Sequence, residues 1–503
     1  MTDIQKALLL QSEGKLKEAK EIYLEFLKEN PKQPDVSNLL GLVYLQENNL
    51  EQAQNYFEIA TQGFPCAEYH QNLGIVHYKQ KNYEIAMQNF DIALDFENKN
   101  LQLARDFAQM AKLAKQTNYA IKFFEKALTL EQKDEVGLNN IGLLYEEKHD
   151  FEKAKECYIK SLKITKNHPA LHNLGVLHRT LRNFDESTKV LHQALKLKPN
   201  DNETMISLGM SYLSKKDLQN GYKYYQFLKP EIKAKYKNHW DGKKHPDSTL
   251  FVFYYAGYGD HLMFSRYLPL LKNYFKTVKV WLPKTISILI EKNIDGIEFV
   301  NTDNVDYDYS ANIMELHYLL NIDFENIPSA QGYLKADSTL IEKYNKEFFQ
   351  TDKKKIGLFW QGNPKVFANR SIKLKELKPL FELEANGYKF YSFEKEDTSD
   401  QISEFTNLTD LGTTFKNFDD TAAALKNLDL LITIDSAIAH LAGALGVKTF
   451  LMLPYSSEWR WFTDTKTTPW YESVSIFKQE KPYDWGTVVK EIYKEIKKFK
   501  LTT

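Results

Sequence analysis

The sequence predicts an all-helical repeat array followed by two α/β units, and three observations carry that reading. A small residue returns every 33 or 34 positions through the first half. The period is lost before Leu250, and from there short β-branched or aromatic runs alternate with helix-period segments. The 503 residues are 43% hydrophobic and 14% aromatic, enough apolar side chain for several cores and against disorder throughout. At roughly 150 residues per domain, the length suggests about three domains.

In the array, the small residue is Ala7, Gly41, Gly74, Ala108, Gly142, Gly175 and Gly209. Twelve positions after each stands another small or nearly small residue: Ala19, Ala53, Ala86, Ala120, Ala154, Ser187 and Gly221. Four positions further comes a large one: Tyr23, Phe57, Phe90, Phe124, Tyr158, Leu191 and Tyr225. Small residues let two helices approach, and large ones fill the groove of the neighbouring pair. Pro31, Pro65 and Pro199 stop second helices, because proline lacks the backbone donor a helix needs. This pattern resembles the tetratricopeptide repeat in about seven units, the last irregular, and sets the array at 1–228. Such arrays form solenoids whose concave face binds another protein.

Asn72, Asn140 and Asn173 occupy one register position, two before the small residue. They resemble the asparagine ladder of O-GlcNAc transferase repeats, which implies binding of an extended peptide. Solvation or capping of a helix face is the other reading of the same residues. The histidines of the array are scattered. His168 and His172 stand four apart with Pro169 between them and no carboxylate to complete a ligand set, so no metal site is expected.

Charge and targeting signals narrow the function. The 66 basic and 67 acidic side chains leave a net charge of −1, which argues against a surface built to bind nucleic acid. Cys66 and Cys157 are too few for a disulfide framework or a cysteine zinc site. The opening MTDIQKALLLQSEGKLKEA reads as an amphipathic helix rather than a signal peptide. The most apolar stretch, Leu430 to Pro454, contains Asp435, His440 and Lys448 and therefore reads as strand–helix–strand, not a membrane span. A cytoplasmic location is the expectation. Residues 229–249, lysine-rich and without the repeat period, read as a solvated linker with Trp240 docked on the domain that follows.

Strands are expected at 250–255, 278–282, 355–360, 388–393, 428–434 and 448–453, with helices at His261–Phe275, Leu374–Ala385, Asp419–Lys426 and Ala437–Leu445. Open parallel sheets bind ligands at the carboxyl ends of their strands, so three loops stand out. Ala256-Gly257-Tyr258-Gly259-Asp260 permits a tight turn. Leu262 replaces the third glycine of a dinucleotide fingerprint, which disfavours NAD. Asp260 is either a helix N-cap or a proton acceptor at a cleft. In the loop after the strand at 355–360, Asn363, Arg370 and Ser371 are hydrogen-bond donors suited to phosphate, with helix capping and a surface role as the plainer alternatives. The third loop, Asp435-Ser436 followed at once by a helix of small residues, offers free backbone donors to an anion. His440 falls on the same helical face four residues after Ser436, while Ala442, Gly443 and Ala444 permit close helix–sheet packing.

The stretches DLLITIDSAIAHLAGALGVKTFLMLPYSSEWRW, GYGDHLMFSRY and KIGLFWQGNP resemble the heptosyltransferase-like glycosyltransferases of family 9. The likeness is greatest to bacterial proteins that fuse tetratricopeptide repeats to that domain, and it spans roughly residues 238–495. It implies a GT-B fold of two Rossmann-like domains: an acceptor-side domain at 250–350 and a nucleotide-sugar domain at 351–503. It further implies metal-free, cofactor-free transfer of a sugar with inversion. The substrates implied are a nucleotide-diphosphate sugar and a protein or glycan acceptor. Asp260 is then the general base. Asp435, Ser436, His440 and Gly443 belong to the donor-diphosphate motif, with Asn363, Arg370 and Ser371 as further phosphate contacts. The aromatic segment Tyr455–Trp470, with Trp459, Arg460 and Trp461, is either a cleft wall or core. The competing function is a non-catalytic repeat scaffold carrying a degenerate transferase domain.

Overall fold

A computed structural model describes residues 2–225, 230–255, 257–362, 370–396, 398–405, 407–462 and 465–498. The chain divides into two compact units, Met1–Leu177 and His178–Thr503.

The first unit is built from helix pairs, beginning Asp3–Ser12 with Leu16–Glu29 and Pro34–Gln46 with Leu50–Gly63. It continues with Ala67–Lys79 and Tyr83–Phe96, Leu101–Leu113 and Thr117–Leu130, then Glu135–Glu147 and Phe151–Ile164. The expected small-to-large contact is present. A Cβ on Gly41 would lie 2.6 Å from the Phe57 ring, one on Gly74 2.5 Å from Phe90, and one on Gly142 2.4 Å from Tyr158. Successive pairs share rings as well, with Phe90 stacked on Phe107 at 4.2 Å. Asn49, Asn100, Asp134 and Asp150 cap their helices through side-chain oxygens, satisfying free backbone donors. Between the helices of each pair, one turn residue takes a left-handed conformation: Gly14, Asn48, Lys81, Lys115 and His149.

The helices Phe184–Leu197, Asn202–Ser214 and Leu218–Tyr225 continue the repeat period, yet they belong to the second unit. Leu213, Leu218, Tyr222 and Tyr225 share one core with Leu250, Val252 and Leu262. The compact unit that holds the sheets therefore also holds the last helices of the array, because burial joins them to the sheets.

The sheets contain eleven strands among the described residues: β1 His245–Phe253, β2 Phe275–Trp281, β3 Glu298–Val300, β4 Tyr309–Asn312, β5 Lys354–Phe359, β6 Tyr388–Ser392, β7 Leu408–Asp410, β8 Leu430–Ile434, β9 Thr449–Leu453, β10 Thr467–Thr468 and β11 Tyr471–Lys478. One sheet has the order β3-β2-β1-β4, all parallel. The other runs β10-β11-β9-β8-β5-β6-β7 and is parallel except for the β10–β11 pair. Chain order reverses between β1 and β4 in the first sheet and between β5 and β8 in the second. These are the crevices where open sheets take ligands.

The six expected strands are present, and five others were not expected. β4 is the polar YSAN, and β11 mixes buried and half-buried residues without strict alternation, behind an aromatic segment that masks its start. The expected helix His261–Phe275 ends at Ser265, because Pro269 opens a separate 3-10 turn, Leu268–Asn273, and Phe275 begins β2. Leu374–Ala385 is likewise broken into 3-10 and α turns around Pro379. The helix Ser338–Phe348, expected in the 250–350 domain, packs on Phe418–Leu425 of the second sheet, with Asn345 Nδ2 donating to Asn427 Oδ1 at 2.8 Å. Trp240 is docked as expected, its backbone N–H on the Ser310 carbonyl at 2.8 Å and its ring edge-on to Phe275 at 5.3 Å. The linker is shorter than 229–249, since β1 begins at His245.

Candidate functional site

The β1 and β8 loops meet. The helix Tyr258–Ser265 after β1 lies against the helix Ala437–Ala444 after β8. A Cβ on Gly259 would be 2.7 Å from His440 Cδ2 and 3.5 Å from Ala437 Cα. Glycine at 259 is therefore required by a close approach of two helices, each at a strand end. Gly257 is the N-cap of the first helix and Asp260 sits inside its first turn, so the capping reading of Asp260 does not hold.

A chain of charges ties these loops together. Asp260 Oδ1 receives Arg460 Nη2 at 2.5 Å, and Arg460 Nη1 lies 3.3 Å from Glu458 Oε2. Glu458 Oε1 pairs with Arg370 Nη2 at 3.1 Å, and Arg370 Nη1 with Asp435 Oδ2 at 3.1 Å. Trp461 Nε1 closes the chain by donating to Asp435 Oδ1 at 2.7 Å. Burial works against the Arg460 charge, but Asp260, Tyr225, Glu458 and Asp435 more than offset it and raise its pKa. Burial raises the Asp435 carboxyl, while Arg370 and Trp461 pull it back only in part. Removing one member of such a chain strands its partner's charge in the interior, which is the expensive event.

Ser436 is the N-cap of the β8 helix and makes no side-chain capping bond. Its hydroxyl instead donates to the Ile434 carbonyl at 3.2 Å. The donors at the start of that helix are thus not capped by the serine side chain. His440 is buried, stacked on Trp461 at 4.7 Å, with Nδ1 3.0 Å from the Tyr471 hydroxyl. Burial, then Arg460, Arg266 and Arg370, hold its pKa well below the usual imidazole value, so the ring is neutral. Arg266 adds a further buried guanidinium. It stacks on Tyr333 and Tyr471 at 4.6 and 4.8 Å, and among the described residues no carboxylate lies within 4.0 Å of it.

The remaining expected residues fall in different places. Gly443 faces the Tyr471 ring, where a Cβ would lie 2.4 Å away, so it packs on the β11 side of its helix. Ser371 Oγ accepts from the Gly362 N–H at 3.0 Å and so shapes the β5 loop rather than capping a helix. Asn363 lies outside the described residues. Trp459, Arg460 and Trp461 are core, not an open cleft wall. In the repeats, Asn72 Nδ2 donates to Asn38 Oδ1 at 2.9 Å and Asn173 Nδ2 to Asn139 Oδ1 at 3.0 Å, while Asn140 Oδ1 accepts from Lys112 at 2.8 Å. These amides bond within the array rather than forming one uniform row.

Glu394, two residues past β6, carries no sequence motif. It is buried and accepts the Trp360 and Gln361 N–H groups at 2.5 and 2.6 Å, fixing the start of the β5 loop. Burial raises its carboxyl to about 8 against those two donors. The strand-end rule alone would have flagged it. Next to that loop opens a groove of about 680 Å³ lined in part by Gln361, Gly362, Ser371, Gln401 and Tyr483.

Comparison with known proteins bears on the helical half. One tetratricopeptide-repeat model matches residues 4–53 and 39–100, and a second matches 137–168 and 168–201. The protein FlbA of Caulobacter vibrioides is 24% identical over 294 residues, which are 52% of this chain and 48% of FlbA. The chain thus spans about half the length of that curated relative. Among solved structures, YrrB, described as a TPR protein with an unusual peptide-binding site, is 17% identical with a TM-score of 0.30, covering 36% of this chain and 95% of its own. PilF of Pseudomonas aeruginosa is 20% identical with a TM-score of 0.27, covering 40% and 97%. Among the described residues, no helix is long and apolar enough to cross a membrane. The helical half is a tetratricopeptide-repeat array, an architecture suited to protein partners.

Proposed function

We propose that the sheet-bearing unit is an inverting, metal-independent glycosyltransferase of GT-B type that uses a nucleoside-diphosphate sugar, with the repeats recruiting a protein or glycan acceptor. The observation that carries this reading is the approach of the Asp260 helix to the helix that starts after Ser436, with Asp260 and Asp435 linked through Arg460, Glu458 and Arg370. Arg460 tethers Asp260 Oδ1, while Oδ2 lies toward the exposed Gly257, 3.9 Å from where its Cβ would stand. Oδ2 takes the acceptor hydroxyl proton as the acceptor oxygen bonds to the sugar anomeric carbon. The bond from that carbon to the phosphate oxygen breaks in the same displacement, which inverts the centre. The departing diphosphate keeps the electron pair, and its charge is met by the donors at the Ser436 helix start, the Ser436 hydroxyl and Arg370.

A second reading has its own support: Asp260 is already engaged by the Arg460 guanidinium, and a scaffold would tolerate that pairing. Titration calorimetry with UDP, GDP and ADP tests the proposal. One of the three should bind, and Arg370→Ala should weaken it by about tenfold. Binding of none, or equal binding by the variant, favours the scaffold.

A further inference from the structure

The segment Tyr455–Phe462 carries both Glu458 and Arg460, so whatever holds it sets the geometry of Asp260 and Arg370. The end of the repeat array holds it at three points. Arg182 Nη2 donates to the Tyr455 carbonyl at 3.1 Å, and its guanidinium lies 5.0 Å from the centre of the Tyr455 ring. Tyr222 meets Trp459 edge-on at 6.1 Å. Lys216 Nζ stands 5.4 Å from the centre of the Phe462 ring. Two of the three grips, Arg182 and Lys216, are the left-handed turn residues of the last two repeats, with φ of 63° and 68°. The turn that elsewhere only joins two helices here presents a cation to the segment. Tyr222 is fully enclosed, 2% exposed, and also lies 5.7 Å from His317 of the first sheet's domain, so the hold is anchored on that side too. Arg179, one turn before Arg182, is half-buried and lies within the field of Glu458.

We propose that the turn and helices from Arg179 to Tyr225 form a clamp on Tyr455–Phe462, in which Arg182 and Tyr222 are positioning residues for the Arg460–Asp260 and Glu458–Arg370 pairs. The inference rests on the reading of that charge chain as a donor-diphosphate site. The final repeat is then a wall of the site as well as the end of a binding array. The interactions are of two kinds: a planar cation stacked on a ring with a hydrogen bond beside it, and ring packing that needs no hydroxyl. The Tyr222 hydroxyl has no hydrogen-bond partner among the described residues, so only its ring is used.

The test is hydrogen exchange across Tyr455–Phe462 in the full chain, with inorganic pyrophosphate titration in parallel. Arg182→Gln should speed exchange in that segment by about tenfold and weaken pyrophosphate by a similar factor. Tyr222→Phe should match the unmodified protein in both. Arg182→Lys keeps the charge without the planar stack and should fall between the two. Exchange in Arg182→Gln equal to that of the unmodified protein overturns the clamp, as does a full effect from Tyr222→Phe. If Arg182→Gln does not fold, unchanged exchange in Arg182→Lys overturns it equally. Absence of pyrophosphate binding by the unmodified protein overturns the donor-site reading, while the exchange result still decides the clamp.

Discussion

In the repeats up to Ile164, packing is done by glycine or alanine against an aromatic ring of the partner helix, over and over, and charge lies mostly at the surface, with Asp134 buried beside Arg105. In the sheet-bearing unit, the interior itself holds charge: Arg460, Asp435 and Arg266 are all buried. The first arrangement can lose one contact and keep its neighbours, since each repeat rests on nearest-neighbour packing. In the second, each charge depends on a partner from a different loop, so damage should spread along the chain from Asp260 to Asp435. The contrast separates a region built for stability by repetition from one where stability is tied to a chain of paired charges.

The largest effect should come from Arg460→Met. It leaves Asp260 and Glu458 short of a partner in the interior and should cost about 3–5 kcal/mol. Urea unfolding should show the sheet-bearing transition moving while the helical transition of the first unit stays in place; movement of both together would break the comparison. Glu394→Gln comes next. The carboxyl is raised to about 8 from 4.5, so the folded state holds a proton that the unfolded state has released. Its stabilising contribution is present below about 4.5 and is lost as pH rises through about 8. Glutamine accepts the same two N–H groups without ionising. Melting temperatures measured from pH 5 to 8 should therefore fall less steeply in the variant, and parallel curves would contradict the burial argument.

In the array the effects are smaller. Gly142→Leu pushes atoms into the Tyr158 ring and should cost about 1–3 kcal/mol, confined to the first unit. The smallest change, Lys115→Gly, should stabilise by about 1 kcal/mol. It relieves a left-handed turn, φ 57°, at an exposed position where Gly14 already fills the equivalent place in the first repeat. An unaltered urea midpoint would count against strain in that turn.

These differences also explain what was legible in the sequence. Periodicity exposed the array, because Gly41, Gly74 and Gly142 report the same helix contact three times. The strand-end loops were legible too: Asp260, Arg370, Asp435 and His440 lie close together in space, though Arg370 and Asp435 are linked by ion pairs that sequence spacing does not reveal. Arg460 and Glu458 were hidden inside an aromatic run whose burial looked equally like a cleft wall. Glu394 carried no motif. Gly443 belonged to the right motif but faces Tyr471, a partner 28 residues away that spacing alone does not identify. The boundary at His178 was illegible because the repeat period continues past it.

The central claim is tested most directly by sugar release from a panel of nucleoside-diphosphate sugars, comparing the unmodified chain with Asp260→Asn. The account predicts that at least one donor is consumed and that the variant loses about 100-fold or more in turnover, the scale of a removed general base. Equal turnover in the variant, or no donor consumed by a chain that also binds no nucleoside diphosphate, would contradict it.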